Sequence, residues 1–93
     1  KFPQMRRDIA ILAPKTLPYK EIAEVITKFK PKNITNFFIF DCFESEKIGA
    51  DKKSLAFGFI YQTADRTLSD EEVNKAHEKF SNLLCQKLPI TIR

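Results

Sequence analysis

Ten residues, Ser54 to Thr63 with the sequence SLAFGFIYQT, limit the possible folds more than any other stretch of this chain. Side chains alternate between the two faces of a β-strand. As a strand, the segment puts Leu55, Phe57, Phe59 and Tyr61 on one face and Ser54, Ala56, Gly58, Ile60 and Gln62 on the other. The large apolar set can fill a core, and the smaller, more polar set cannot. Such a strand belongs in a sheet that is covered on one side and bare on the other. The whole chain has 93 residues, which suits one domain burying roughly 60–65% of its unfolded surface around one core.

The flanking sequence supplies the cover. Arg6 to Leu12, RRDIAIL, reads as a strand ended by Pro14. Pro18 suits a first helical position, where its missing N–H would be unpaired anyway. Tyr19, Ile22, Val25, Ile26 and Phe29 then repeat at helical spacing, and Pro31 stops the helix. Asn33 to Phe43 reads as a second strand rich in Phe and Ile. Glu44 to Lys53 is a polar connection containing Gly49, so the second and third strands are expected to form a hairpin. Ser69 and Glu72 make an S-x-x-E capping box, with Leu68 and Val73 at the hydrophobic-staple positions. Val73, Ala76, His77, Phe80, Leu83 and Leu84 form the buried stripe of that helix. Pro89 ends it, and Ile90 to Arg93 reads as a short last strand. The order β-α-β-β-α-β, with right-handed connections, predicts a ferredoxin-like α+β fold. Its four-stranded antiparallel sheet carries both helices on one face.

The uncovered face is where ligand chemistry is expected. The same parity places Ile9, Ile11, Ile90 and Ile92 in the core. It places Asp8, Ala10, Ile39, Asp41, Phe43, Ser54, Ala56, Gly58 and Arg93 on the open face, and Phe38, Phe40 and Cys42 opposite to Asp41. Asp41 stands inside the aromatic run FIFDCFES. A carboxylate buried without a partner costs several kcal/mol, an order-of-magnitude figure, so Asp41 faces water, has a dedicated partner or meets a ligand. Small residues on the third strand, among them Ala56, let a flat ligand approach the backbone, and Phe43 offers a ring. Asp41 accepts hydrogen bonds, and Ser54 donates or accepts them. These groups suit splayed single-stranded bases, with Arg6, Arg7, Lys52, Lys53 and Arg93 holding phosphates. The plainer readings are an Asp that guards against edge aggregation, solvated loop lysines, a packed and hydrogen-bonded His77, and cysteines acting as small apolar fillers.

Composition narrows the function further. The 16 Lys and Arg exceed the 12 Asp and Glu by four, a mild excess that permits an acidic partner without requiring one. Cys42 and Cys85 are far apart and there is one His, so no metal-ligand cluster is expected. Two thiols without a disulfide framework suit a reducing compartment. No apolar run approaches a membrane span and no signal peptide is visible, so no membrane partner is expected. The first residue is Lys, which suggests a domain cut from a longer protein. FGFIY resembles part of an RNA-recognition motif, but exposing Phe57 and Phe59 would empty the core. The segment Ala13-Pro14-Lys15-Thr16-Leu17-Pro18 lacks the Gly and Arg of an acylphosphatase-like phosphate loop and the CxxC of a metallochaperone. No nucleophile arrangement is suggested either, so the chain is not expected to be catalytic by itself.

RRDIA (Arg6 to Ala10), FD-x-F (Phe40 to Phe43), KKSLAF (Lys52 to Phe57), DRTLSDEEV (Asp65 to Val73), His77 and the closing Ile92-Arg93 succeed one another in a familiar order and spacing. In these motifs the chain resembles the ferredoxin-fold anticodon-binding domain found at the C-terminus of the β subunit of bacterial phenylalanyl-tRNA synthetase. The resemblance implies a single domain over residues 1–93 of a cytoplasmic tRNA ligase. That parent would use ATP and Mg2+, and its catalytic site would lie in the α subunit of an α2β2 assembly. The domain itself would need no cofactor and would bind the anticodon loop of phenylalanine tRNA. The resemblance implies RNA-binding roles for Asp41, Phe43 and Ser54, with Arg93 as a further contact. Ala10, Ala56, Lys52 and Lys53 complete the expected RNA-binding set. The family usually has Tyr where Phe43 stands, so a ring is kept and a hydroxyl lost. Gly49 and Asp51 replace the usual Pro and Gly of the connecting loop. A protein–protein module on the same fold and a mitochondrial-type single-chain synthetase are the alternatives.

Overall fold

The computed structural model describes residues 2–93. Its elements are β1 (Met5–Pro14), α1 (Tyr19–Phe29), β2 (Ile34–Phe43), a single 3-10 turn (Glu46–Ile48), β3 (Lys52–Tyr61), α2 (Asp70–Lys87) and β4 (Thr91–Ile92). The strands form one antiparallel sheet in the order β2-β3-β1-β4. This is the ferredoxin-like βαββαβ arrangement expected from the sequence.

Local chemistry sets the element ends. Pro18 caps α1 instead of opening it, and its carbonyl accepts from the Glu21 N–H at 3.1 Å. At the other end the Lys30 N–H donates to the Ile26 carbonyl at 2.9 Å before Pro31 turns the chain away. The capping box of α2 is complete: the Glu72 N–H donates to Ser69 Oγ and the Ser69 N–H to Glu72 Oε1. Leu68 and Val73, the two staple residues, are buried. Gly49, at φ 113°, makes the turn between β2 and β3, in a conformation that disfavours other residues.

Ile22 and Ile26 of α1, and Val73, Phe80 and Leu84 of α2, pack with Ile9, Ile11, Leu55, Phe57, Phe59 and Tyr61 of the sheet. Full burial of each such side chain contributes about 1.5–3 kcal/mol, so the alternation of β3 is the strongest single determinant of the core. His77 sits in this layer, hydrogen-bonded as expected. Its Nε2 donates to the Asp8 carbonyl at 3.0 Å, which leaves Nδ1 to accept from Tyr61 Oη at 2.8 Å. Of the cysteines, Cys85 packs against the core, but Cys42 is exposed and fills no space.

Candidate nucleic-acid interface

The bare face is built in rungs across the sheet. Ala10 of β1 lies opposite Ala56 of β3, and Ala56 opposite Asp41 of β2. One rung along, Leu12, Ser54 and Phe43 are in register. One rung the other way stand Asp8, Gly58 and Phe38. Asp41, Phe43, Ser54, Ala10 and Ala56 therefore share one continuous surface.

Arg93 completes it from the last strand. Its N–H donates to the Ala10 carbonyl at 2.8 Å. Its side chain crosses the face, where Nη1 donates to Ser54 Oγ at 2.8 Å and the guanidinium lies 4.8 Å from the centre of the Phe43 ring. Ser54 is 3% exposed under this cover, while Phe43 keeps 37% of its surface open. Asp41 is exposed and has no hydrogen-bond or ion-pair partner among the described residues. Its charge is carried by solvent, so no neighbouring lysine or arginine is needed to offset a burial cost.

The basic residues divide between the two faces. Lys52 lies opposite Pro14 on the open side, whereas Lys53 is paired with buried Ala13 on the helix side and its ammonium donates to the Leu17 carbonyl. Arg7 is also on the helix side. It binds Asn74 Oδ1 at 2.8 Å and Asp70 Oδ1 at 3.0 Å and so ties β1 to the first turn of α2. Neither Arg7 nor Lys53 shares the surface of Asp41.

Simple alternation fails in one strand. β2 has irregularities between Ile34 and Asn36 and between Ile39 and Asp41. Ile39 is opposite Phe57 and Phe37 opposite Phe59, which puts both on the helix side, not beside Asp41. Phe38, expected in the core, pairs with Gly58 on the open face, and Phe40 is the extra residue of the second irregularity. A bulge adds one residue and re-aims the side chains beyond it. The available sign was the run FFIF itself, which puts bulky rings at both parities. Ile92 pairs with Ile11 on the helix side as expected, yet it remains exposed at the sheet edge.

No helix among the described residues is long and apolar enough to cross a membrane. The sequence matches the family described as the ferredoxin-fold anticodon binding domain over residues 1–93. It is 41% identical over 93 residues to the phenylalanine–tRNA ligase beta subunit of Syntrophotalea carbinolica, covering 100% of this chain and 12% of that protein. The same-named proteins of Listeria monocytogenes and Pseudomonas fluorescens are 39% and 36% identical over 93 residues, with the same coverage. The chain thus spans 12% of the length of these curated relatives.

Proposed function

The chain belongs to the ferredoxin-fold anticodon-binding domain family, and from that premise we propose that it reads the GAA anticodon of phenylalanine tRNA as one domain of a phenylalanine–tRNA ligase β subunit. The observation that carries this reading is the shared surface of Asp41, Ala10, Ala56, Phe43, Ser54 and Arg93. It sets an unpartnered carboxylate on a floor of small residues beside an aromatic ring. Guanine and adenine carry N–H donors on their edges, and Asp41 accepts from one of them. Ala10 and Ala56 let the base plane come close to the sheet.

Phe43 stacks on a neighbouring base, which takes the place of the Arg93 guanidinium. A base on an aromatic ring is worth roughly 1–3 kcal/mol, against about 0.5–1 kcal/mol for an exposed cation over a ring, so the exchange favours the base. Arg93 then turns to a phosphate and frees the Ser54 hydroxyl for a base edge. Lys52 holds a further phosphate at the rim.

In this reading the parent is a cytoplasmic ligase that uses ATP and Mg2+ in an α2β2 assembly, and its chemistry lies outside this chain. No step in this domain is assigned to the metal.

The test is a titration of the 93-residue chain at low salt with two RNA hairpins, one carrying GAA and one with those three bases changed. Backbone amide shifts around Asp41, Phe43 and Ser54 are expected to be larger with GAA. Asp41→Ala should weaken GAA binding by about tenfold, the order of one lost hydrogen bond to a charged group, and weaken the changed hairpin much less. Equal losses for the two hairpins would remove base reading from Asp41. No shift with either would leave a protein–protein module as the better reading.

A further inference from the structure

The open face carries a second aromatic platform at the end away from Phe43, and anticodon reading at Asp41 and Phe43 leaves it unused. Phe38 lies against Gly58, where an added Cβ would come within 2.6 and 2.7 Å of two of its ring atoms. The Arg6 guanidinium lies over two rings, 5.0 Å from the centre of Phe38 and 4.8 Å from that of Phe40. Asp8 Oδ1 holds Arg6 Nε at 2.8 Å. The two terminal nitrogens of Arg6 have no hydrogen-bond partner among the described residues. Phe40 is the bulge residue and stays 49% exposed.

We propose that Arg6 and Phe40 form a second nucleotide subsite, in which a base stacks on Phe40 and its phosphate meets the terminal nitrogens of Arg6. The proposal rests on the anticodon reading and extends the footprint by a nucleotide beyond those held at Asp41 and Phe43. The spacing fits a strand laid along the face. Phe43 lies opposite Ser54, and Phe40 bulges out between the positions opposite Ala56 and Phe57, so the two rings are two to three residues apart along β3, about 7–10 Å at the rise of a strand. One base cannot touch both rings, and successive nucleotides can. Asp8 offsets much of the Arg6 charge, so stacking supplies most of the affinity here and Phe40 is the residue to test. Phe38 and Gly58 hold the guanidinium in place and do not contact the RNA.

The experiment measures binding of the 93-residue chain to the GAA hairpin and to the same hairpin with a single abasic residue at each loop position in turn. Phe40→Leu is expected to weaken the intact hairpin about five- to thirtyfold, in the lower part of the range for a base stacked on an aromatic ring. It should also make the chain indifferent to one abasic position, different from the position to which Phe43→Leu makes it indifferent. Phe40→Tyr keeps the ring and should restore binding. An unchanged affinity in Phe40→Leu, with a loss in Phe43→Leu, overturns the subsite and leaves the anticodon reading standing. A uniform loss across the abasic series overturns the subsite as well, because it marks a structural effect. If the hairpin does not bind at all, both readings fall. Should Phe40→Leu not fold, the Phe40 ring protons of the unaltered chain decide: ring-current shifts on titration support the subsite, and their absence overturns it.

Discussion

Arg93 shows how one side chain can serve the free domain and the complex differently. In the free chain it covers Ser54 and lies on Phe43. Both contacts sit where RNA chemistry is expected, so removing Arg93 has two opposed effects. It uncovers the ring and the hydroxyl, and it takes away a cation. Loss of one phosphate contact dominates at low salt, because counterion release strengthens as salt falls. Arg93→Ala is therefore expected to bind the GAA hairpin several-fold more weakly at low salt, with a gap that closes as salt rises. Affinity measured across a series of salt concentrations checks this. A deficit that stays constant would mean that Arg93 contacts a base instead of a phosphate. Asp41 makes the complementary case. It has no partner in the free chain, so its replacement should leave stability nearly unchanged, as is usual for exposed substitutions.

At the scale of elements, α2 is held to the sheet through His77, which bridges Tyr61 of β3 and the Asp8 carbonyl of β1. Burial, aided by Arg7, holds the His77 pKa below the ordinary histidine range, and the Asp8 carbonyl and carboxylate oppose this in part. Burial also pushes Tyr61 up to about 12, so its hydroxyl stays protonated as a donor. As pH falls, the unfolded chain takes up the imidazole proton before the folded chain does. Stability is then complete above the ordinary histidine pKa of about 6.5 and declines below it. The denaturation midpoint in urea should fall between about pH 7.5 and 5.5, and His77→Gln should flatten that slope. Glu72 does not confuse this window, since it is held at about 2 by its hydrogen bond from Arg66 and begins to matter only nearer pH 4.5. An unchanged slope in His77→Gln would place the pH dependence elsewhere. The capping box, the core stripe and the alternation of β3 were all legible in the sequence, because each rests on short-range spacing. β2 was not legible, because its rings occupy both parities and an edge strand tolerates bulges that a central strand resists. The faces of Asp41 and Phe43 were legible because both lie beyond the second bulge, where the period resumes. Ile39 precedes it, and simple alternation puts that residue on the wrong face.

At the scale of the whole molecule, the excess of four positive charges is less informative than where the charges lie. Lys20 and Lys28 are on α1 and Lys75, Lys79 and Lys87 on α2, so much of the positive charge belongs to the helical layer. Arg7 and Lys53 are turned to that side and engaged with the protein itself. Among the described strand residues, Arg6, Lys52 and Arg93 are the cations on the open face beside the aromatic and acidic residues. Binding through this face therefore engages about three phosphates. For single-stranded RNA the slope of log affinity against log salt is near −0.7 per phosphate, which gives about −2. Binding through the helical layer would engage more lysines and give a slope near about −3.5 for five contacts by the same rule. The slope thus tells the two faces apart without any substitution. A value near about −2 that moves toward about −1.4 in Arg93→Ala would place the RNA on the open sheet. A steep slope, indifferent to Arg93, would place it on the helices and remove the anticodon-reading geometry with it.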